Sequence, residues 1–361
     1  MSFEHDDSDY WTNTAGASGA SCGAAPMSAP LLDIEHTPNV APLDRQMGVM
    51  PPLTVPAELH DSLFGEGARG AQIYAILDGA KLEGLRELLE ASKLDYACLF
   101  QGDAAIELGD VAPYIVRLED GNRFTRRLFT TGTAPWQVWA KEAGILIRSA
   151  ASLDDLRRHF RRFTRVQDET DAWFYLRFYE PQLAHDYLTA LAHDPVRLDH
   201  WMRPSCGAQI DILTLTGPVR NWPDARTATW FRLAPDAQLE HRNTPFRIGA
   251  LEEQVFAQHR RDDFRRRLDA HLSAQVPAFA ALHPDDRTAR IQDSVAIAGR
   301  FGIAREQAVA DLALAAAILP MPLLDDPRSL RYLQADMHPL DKAARVLEHA
   351  KSLSPKRTKS P

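Results

Sequence analysis

From Gln72 onward the chain alternates short apolar runs with stretches of helical spacing. Gln72–Leu77 is apolar and stops at Asp78-Gly79, which predicts a strand and a turn. Lys81–Ser92 then places Leu82, Leu85, Leu88 and Leu89 on one helical face. Tyr96–Phe100 and Tyr114–Leu118 read as further strands, Ala134–Ala143 as a helix, and Ile145–Ser149 as a fourth strand. Ser152, with Asp155 three residues on, has the spacing of a capping box. Leu153, Leu156, Phe160 and Phe163 supply the buried stripe of the helix it opens. Trp173–Tyr179 reads as a fifth strand, in which Arg177 and Tyr179 share one face and Phe178 faces the core. Glu180-Pro181 suits the start of a helix, and His193-Asp194 marks a helix end before Pro195. This alternation predicts an α/β (α+β) N-terminal lobe, a small mixed sheet with flanking helices.

Beyond that lobe the pattern changes. Ile210, Ile212 and Leu213, then Thr229–Leu233, predict two strands around a loop at Gly217-Pro218 and Trp222-Pro223. After Pro245 the chain reads as a mainly helical C-terminal lobe, with helices over Leu251–Leu272, Asp285–Phe301, Arg305–Leu319, Pro327–Gln334 and Leu340–Leu353. Residues 1–70 are rich in Ser, Gly, Ala and Pro, lean acidic, and hold no sustained apolar period. Such a segment is expected to stay unfolded, because it buries too little apolar area to offset its ordering entropy. Leu31-Leu32-Asp33-Ile34 is a candidate partner-binding peptide within it. The expected organisation is a tail over 1–70, an α/β lobe over 71–205, a strand-containing connector over 206–244, a helical lobe over 245–353 and a basic tail over 354–361.

Composition narrows the class. A 45% apolar and 25% charged chain is ordinary for a globular protein. No run approaches the roughly 20 apolar residues of a membrane span. The acidic opening MSFEHDDSDY is unlike a signal peptide, so the expected location is the cytoplasm. Cys22, Cys98 and Cys206 are odd in number and far apart, which speaks against a disulfide framework or a structural zinc site. A net charge of -8 repels nucleic acid overall.

Enzyme signatures are missing: no GxSxG, no GxxxxGK[ST], no GxGxxG after the first strand and no HExxH. His259, Asp262 and Asp263 have one-face helical spacing and ligand-type side chains, but arginines surround them, so an ion-paired helix face is expected. Asp336, His338 and Asp341 resemble that cluster, with Pro339 breaking the spacing. Leu156–Arg165 is basic with interleaved aromatics, a nucleic-acid-like pattern. Phe160 and Phe163 fall on the buried stripe, however, which leaves the arginines as a carboxylate-seeking surface.

Three pieces of the first lobe carry a family resemblance. They are Ile73-Tyr-Ala-Ile-Leu-Asp-Gly-Ala80 before a leucine-rich helix; Ala112-Pro-Tyr-Ile-Val-Arg-Leu118 with Gly144-Ile-Leu-Ile-Arg-Ser149 and the Ser152–His159 helix start; and Leu176-Arg-Phe-Tyr-Glu-Pro181. Over about residues 72–205 their order resembles the adaptor domain of type VI secretion effector chaperones, once catalogued only as a domain of unknown function. Glu180-Pro181 stands where that family usually shows Asp-Pro. The resemblance implies a two-lobed adaptor that binds a secreted effector and helps load it onto the VgrG spike, often through a PAAR-type tip domain. It implies no cofactor and no catalytic residue, while the net charge and the lack of a long apolar run leave neither nucleic acid nor membrane as an expected partner. A hydrolase with dispersed catalytic groups and a nucleic-acid-binding protein are the competing classes.

An adaptor needs anchors inside a charged rim. The candidate partner-binding residues are Arg177, Tyr179 and Glu180 in the first lobe, and Arg260, Arg261, Phe264 and Arg265 in the second. Trp136, Trp139, Trp201 and Trp222 are further candidate anchors.

Overall fold

The computed structural model describes residues 29–353, apart from 45, 69, 135, 218–223 and 242–243. The expected tails over 1–28 and 354–361, and Trp222 with its loop, lie outside the described residues.

Seven strands form one antiparallel sheet: β1 (Leu32–Val40), β2 (Gln72–Asp78), β3 (Tyr96–Cys98), β4 (Pro113–Leu118), β5 (Gly144–Ser149), β8 (Ile210–Thr216) and β9 (Arg226–Leu233). Their spatial order is β1-β9-β8-β5-β2-β4-β3. The remaining strands, β6 (Arg165–Asp168), β7 (Trp173–Tyr175) and β10 (Arg247–Ile248), make a small mixed sheet. In it β6 pairs antiparallel with β7 and parallel with β10.

The unbroken apolar run of β2 follows from burial on both faces. Successive side chains of a strand point to opposite faces. Tyr74 and Ile76 enter one core with Ile115, Ile147 and Phe231, while Ile73, Ala75 and Leu77 enter the other with Val116, Leu146 and Trp230. Helices α1 (Ala57–Phe64), α2 (Leu85–Ser92) and α4 (Arg123–Leu128) supply buried side chains to the second core. Helices α5 (Leu153–Thr164), α6 (Pro181–Ala190) and α7 (Pro195–Met202) supply them to the first. A short helix, α3 (Asp103–Glu107), follows β3. Gly144 is forced by proximity: a Cβ there would stand 1.9 Å from the Ile76 carbonyl oxygen. Ser152 caps α5 as expected, accepting from the Asp155 amide at 3.2 Å.

The helical part comprises α8 (Ala250–Gln275), α9 (Pro277–Ala280), α10 (Pro284–Arg300), α11 (Glu306–Ile318), α12 (Pro327–Gln334) and α13 (Pro339–Leu353). Its core joins Phe264, Leu268 and Leu272 of α8 to Ile291, Leu312 and Val346. The chain divides into two compact units between Phe256 and Ala257, within the sequence of α8. The fold class is therefore the expected one: strands with flanking helices first, a mainly helical part second.

Three local expectations fail for identifiable reasons. The segment 1–70 does not remain unfolded as a whole. Leu32–Val40 pairs with β9 in register from Leu32↔Leu233, and Leu59 and Leu63 of α1 are core residues. Residues 206–244 are no mere connector, since β8 and β9 lie within the large sheet. Ala134–Ala143 is not a helix but a loop ending in a 3-10 turn at Trp139–Lys141. Buried Trp139 donates from its indole to the Asp224 carbonyl at 2.6 Å, so tertiary contacts hold the loop.

Candidate partner-binding surface

The strand expected through Tyr179 ends at Tyr175. A turn follows, closed by the Glu180 amide on the Arg177 carbonyl, and it carries both Phe178 and Tyr179 inward. Strict alternation would have kept one of them out. Phe178 stacks on Phe160 at 5.7 Å and meets Phe163 and Trp201 edge-on, so its core placement holds. Tyr179 is only 5% exposed, and burial raises its hydroxyl pKa well above the ordinary range, with Asp78 adding to the shift. It is a core residue rather than a partner contact. Arg177 is spent on structure too: its guanidinium donates to the carboxylate of Asp78, a residue only 2% exposed at the end of β2. Half-buried Glu180 sits at the N-cap of α6, and its side chain makes no capping hydrogen bond.

The second candidate group is largely self-paired. Arg265 pairs with Asp262 at 3.0 Å, while Asp263 takes Arg266 at 3.3 Å and Arg267 at 3.0 Å. Arg261 donates to the Gln258 amide oxygen at 2.9 Å, and Arg260 is exposed. Phe264 is 4% exposed, one turn before Leu268 on the buried stripe, so it is core and not an anchor. His259 is buried beside carboxylates already engaged by arginines, and no group of three metal-ligating side chains occurs among the described residues. Exposed ion pairs of this kind contribute little stability, about 0–1 kcal/mol each.

Of the tryptophans, Trp139 and Trp201 are buried while Trp136 is exposed against Arg127, whose guanidinium lies 5.9 Å from its ring centre.

What the tertiary structure assembles instead is a surface around β7. Trp173, Phe174 and Tyr175 are all exposed, Trp173 at 55% and Tyr175 at 62%. The register sets Arg165 opposite Tyr175 and Gln167 opposite Trp173, so these four share one face. Val166, opposite Phe174, turns to the core. The Arg165 guanidinium lies 4.3 Å from the Trp173 ring centre, within cation–π range. Phe100 extends the aromatic surface, with its ring 6.1 Å from that of Tyr175. Arg157 and Arg161 of α5 border the same segment: Arg157 donates to the Cys98 carbonyl at 3.1 Å, and Arg161 lies against the Gln101 side-chain amide. None of Arg157, Arg161 and Arg165 pairs with a carboxylate among the described residues. Partial burial, and then the guanidiniums of Arg157 and Arg158, press the Arg161 pKa below its ordinary value.

The sequence pattern marks the arginines but not the aromatics, because Trp173–Tyr175 reads only as the start of a strand and carries no sign of which faces stay uncovered. The available signal was the polar turn Asp168-Glu-Thr-Asp171 between two short β-type runs, which spells a hairpin.

The helical unit holds a cavity of about 590 Å³ lined by residues that include Phe279, Ile297, Ala316 and Met321, with Arg290 and Asp293 at its wall. No helix among the described residues is long and apolar enough to cross a membrane.

A family model described as a domain of unknown function (DUF4123) matches residues 73–197. No curated protein matches the chain, and neither does any solved structure. The β7 surface, α5, and the Arg177–Asp78 pair all lie within the matched stretch.

Proposed function

We propose that this chain is a cytoplasmic adaptor that binds a type VI secretion effector and helps load it onto the VgrG spike or a PAAR-domain tip protein. It acts by protein–protein binding, without catalysis. The observation that carries this reading is the exposed aromatic strand Trp173–Tyr175 beside unpaired arginines, within the stretch 73–197 that the family model matches. That stretch coincides with the one whose motifs resemble the effector-chaperone adaptor domain. Aromatic residues and arginine dominate binding hot spots because they bury large rigid area and form directed charged contacts. Three adjacent aromatics left in water are otherwise unfavourable, which supports a surface that is covered in use.

The test is capture of the full chain from its native host, with bound proteins identified by mass spectrometry. A co-purifying spike or tip protein together with a secreted toxin supports the proposal. Recovery of neither, with the chain folded and expressed at its native level, overturns it. A parallel capture with Trp173→Ala and Tyr175→Ala asks whether this surface is the one used.

A further inference from the structure

β7 is the last strand of its sheet, with β6 on one side and no strand on the other among the described residues. The hydrogen-bond phase fixes which backbone groups are available. The Leu176 amide donates to Thr164 and the Asp168 amide to Ala172, so residues 172, 174 and 176 turn their backbone groups toward β6. Trp173 and Tyr175, out of phase by one, direct their N–H and C=O groups to the open edge. Those groups have the two-residue period that an incoming strand requires.

Two arginines stand beside this edge. Arg165 lies opposite Tyr175 and over Trp173, and Arg161 lies behind the Phe100–Gln101 segment that touches Tyr175. At the hairpin tip Asp171 is paired with Arg247 at 2.8 Å, and the Asp168 carboxylate accepts from the Thr170 and Ala172 amides at 2.8 and 2.9 Å. Alternate side chains of an added strand would fall on the Arg165 face.

From these relationships we infer that β7 receives an acidic, extended segment of a partner protein, added as a new edge strand with its carboxylates on Arg161 and Arg165. Strand addition takes affinity from backbone hydrogen bonds and specificity from alternate side chains, and arginine suits carboxylates because its planar fork matches them. A single-stranded nucleic acid would also find aromatics and arginines here. It has no strand backbone to satisfy the edge, and the chain's net charge of -8 opposes it. The inference deepens the adaptor reading and rests on it for the identity of the partner, not for the binding chemistry.

The probe is a synthetic peptide alternating glutamate with threonine, titrated into the full chain at low and moderate salt while tryptophan fluorescence is followed. Two comparison ligands are the same peptide N-methylated along its backbone and an oligothymidylate. Expected results are saturable binding of the plain peptide and at least about tenfold weaker binding of the N-methylated one, a ratio that is read directly as affinity. Hydrogen exchange should slow at the amides of Trp173 and Tyr175. Combined Arg161→Glu and Arg165→Glu should weaken the plain peptide at least about tenfold with an unchanged thermal midpoint. Equal binding of the N-methylated peptide overturns strand addition. So does preference for oligothymidylate, or binding that ignores the arginine reversals. If the double variant does not fold, the N-methylation comparison still decides. Peptide binding without any captured effector would leave this inference standing and sink the adaptor reading; effector capture without peptide binding would do the reverse.

Discussion

Arg197 of α7 holds Glu252 of α8 by both carboxylate oxygens, with Nε donating to Oε1 at 2.6 Å and a terminal nitrogen to Oε2 at 3.1 Å. Glu252 is fully buried, and it also accepts from the Tyr187 hydroxyl at 2.7 Å and the Gly249 amide at 3.0 Å. Removing one partner of a buried pair leaves an uncompensated charge. Arg197→Ala should therefore destabilise the fold by about 3 kcal/mol. Urea unfolding monitored by tryptophan fluorescence checks this; a loss under about 1 kcal/mol would show the pair to be replaceable by water.

Phe178 tests the first core. Its ring stacks on Phe160 and packs edge-on against Phe163 and Trp201. Phe178→Ala should cost about 3–5 kcal/mol, as deletion of a well-packed aromatic ring does. The same unfolding measurement applies, and a value near zero would mean that the site collapses around the deletion.

Arg177 is expected to act on stability. Asp78 is nearly inaccessible and keeps the Ala80 amide as donor at 3.0 Å when Arg177 is lost, while Arg177 itself is half exposed. Arg177→Ala should cost about 1–3 kcal/mol. Partner capture should fall only in proportion to the unfolded fraction. Intact stability with abolished capture would make Arg177 a contact residue.

His159 should give the fold an acid limit. Its Nε2 faces the Trp201 carbonyl at 3.0 Å and its Nδ1 faces Arg162 at 3.2 Å, an environment for the neutral ring. Burial first, then Arg162, holds its pKa down to about 3. An unfolded histidine titrates near 6.5, so between these values the unfolded chain binds the extra proton, and stability falls as pH falls from about 6.5 toward 3. The penalty from this one group should reach about 2 kcal/mol at pH 5. His159→Gln should flatten that part of the stability–pH curve; an unchanged slope would assign the acid sensitivity to other groups.

The exposed aromatics should separate binding from stability. Trp173→Ala with Tyr175→Ala removes two rings that are mostly in water, so the thermal midpoint should change little, with each ΔΔG within about 0.5 kcal/mol. Capture of the partner should fall strongly, because hot-spot aromatics contribute about 2 kcal/mol or more each. A variant that unfolds at lower temperature while binding normally would make these rings structural.

Local pattern alone determined β2, β4, β5, the Ser152 cap of α5 and most helices after Pro245, because each is written in a period of two or near 3.6 over neighbouring residues. It also placed Phe160, Phe163 and Phe178 in the core and marked the arginines of α5 as a surface. Tertiary structure decided the rest. Leu32–Val40 reads as polar coil, since as an edge strand it buries only Leu32 and Val40 fully; pairing with β9, nearly 200 residues away, makes it a strand. Trp173–Tyr175 reads only as part of a strand, and the tertiary structure decides that β7 ends its sheet with these three rings exposed. Phe264 reads as an anchor beside a charge run, until helix packing turns it inward with Leu268. In each case the deciding quantity was which faces and edges remained uncovered once distant elements had paired, and no window of neighbouring residues contains that information.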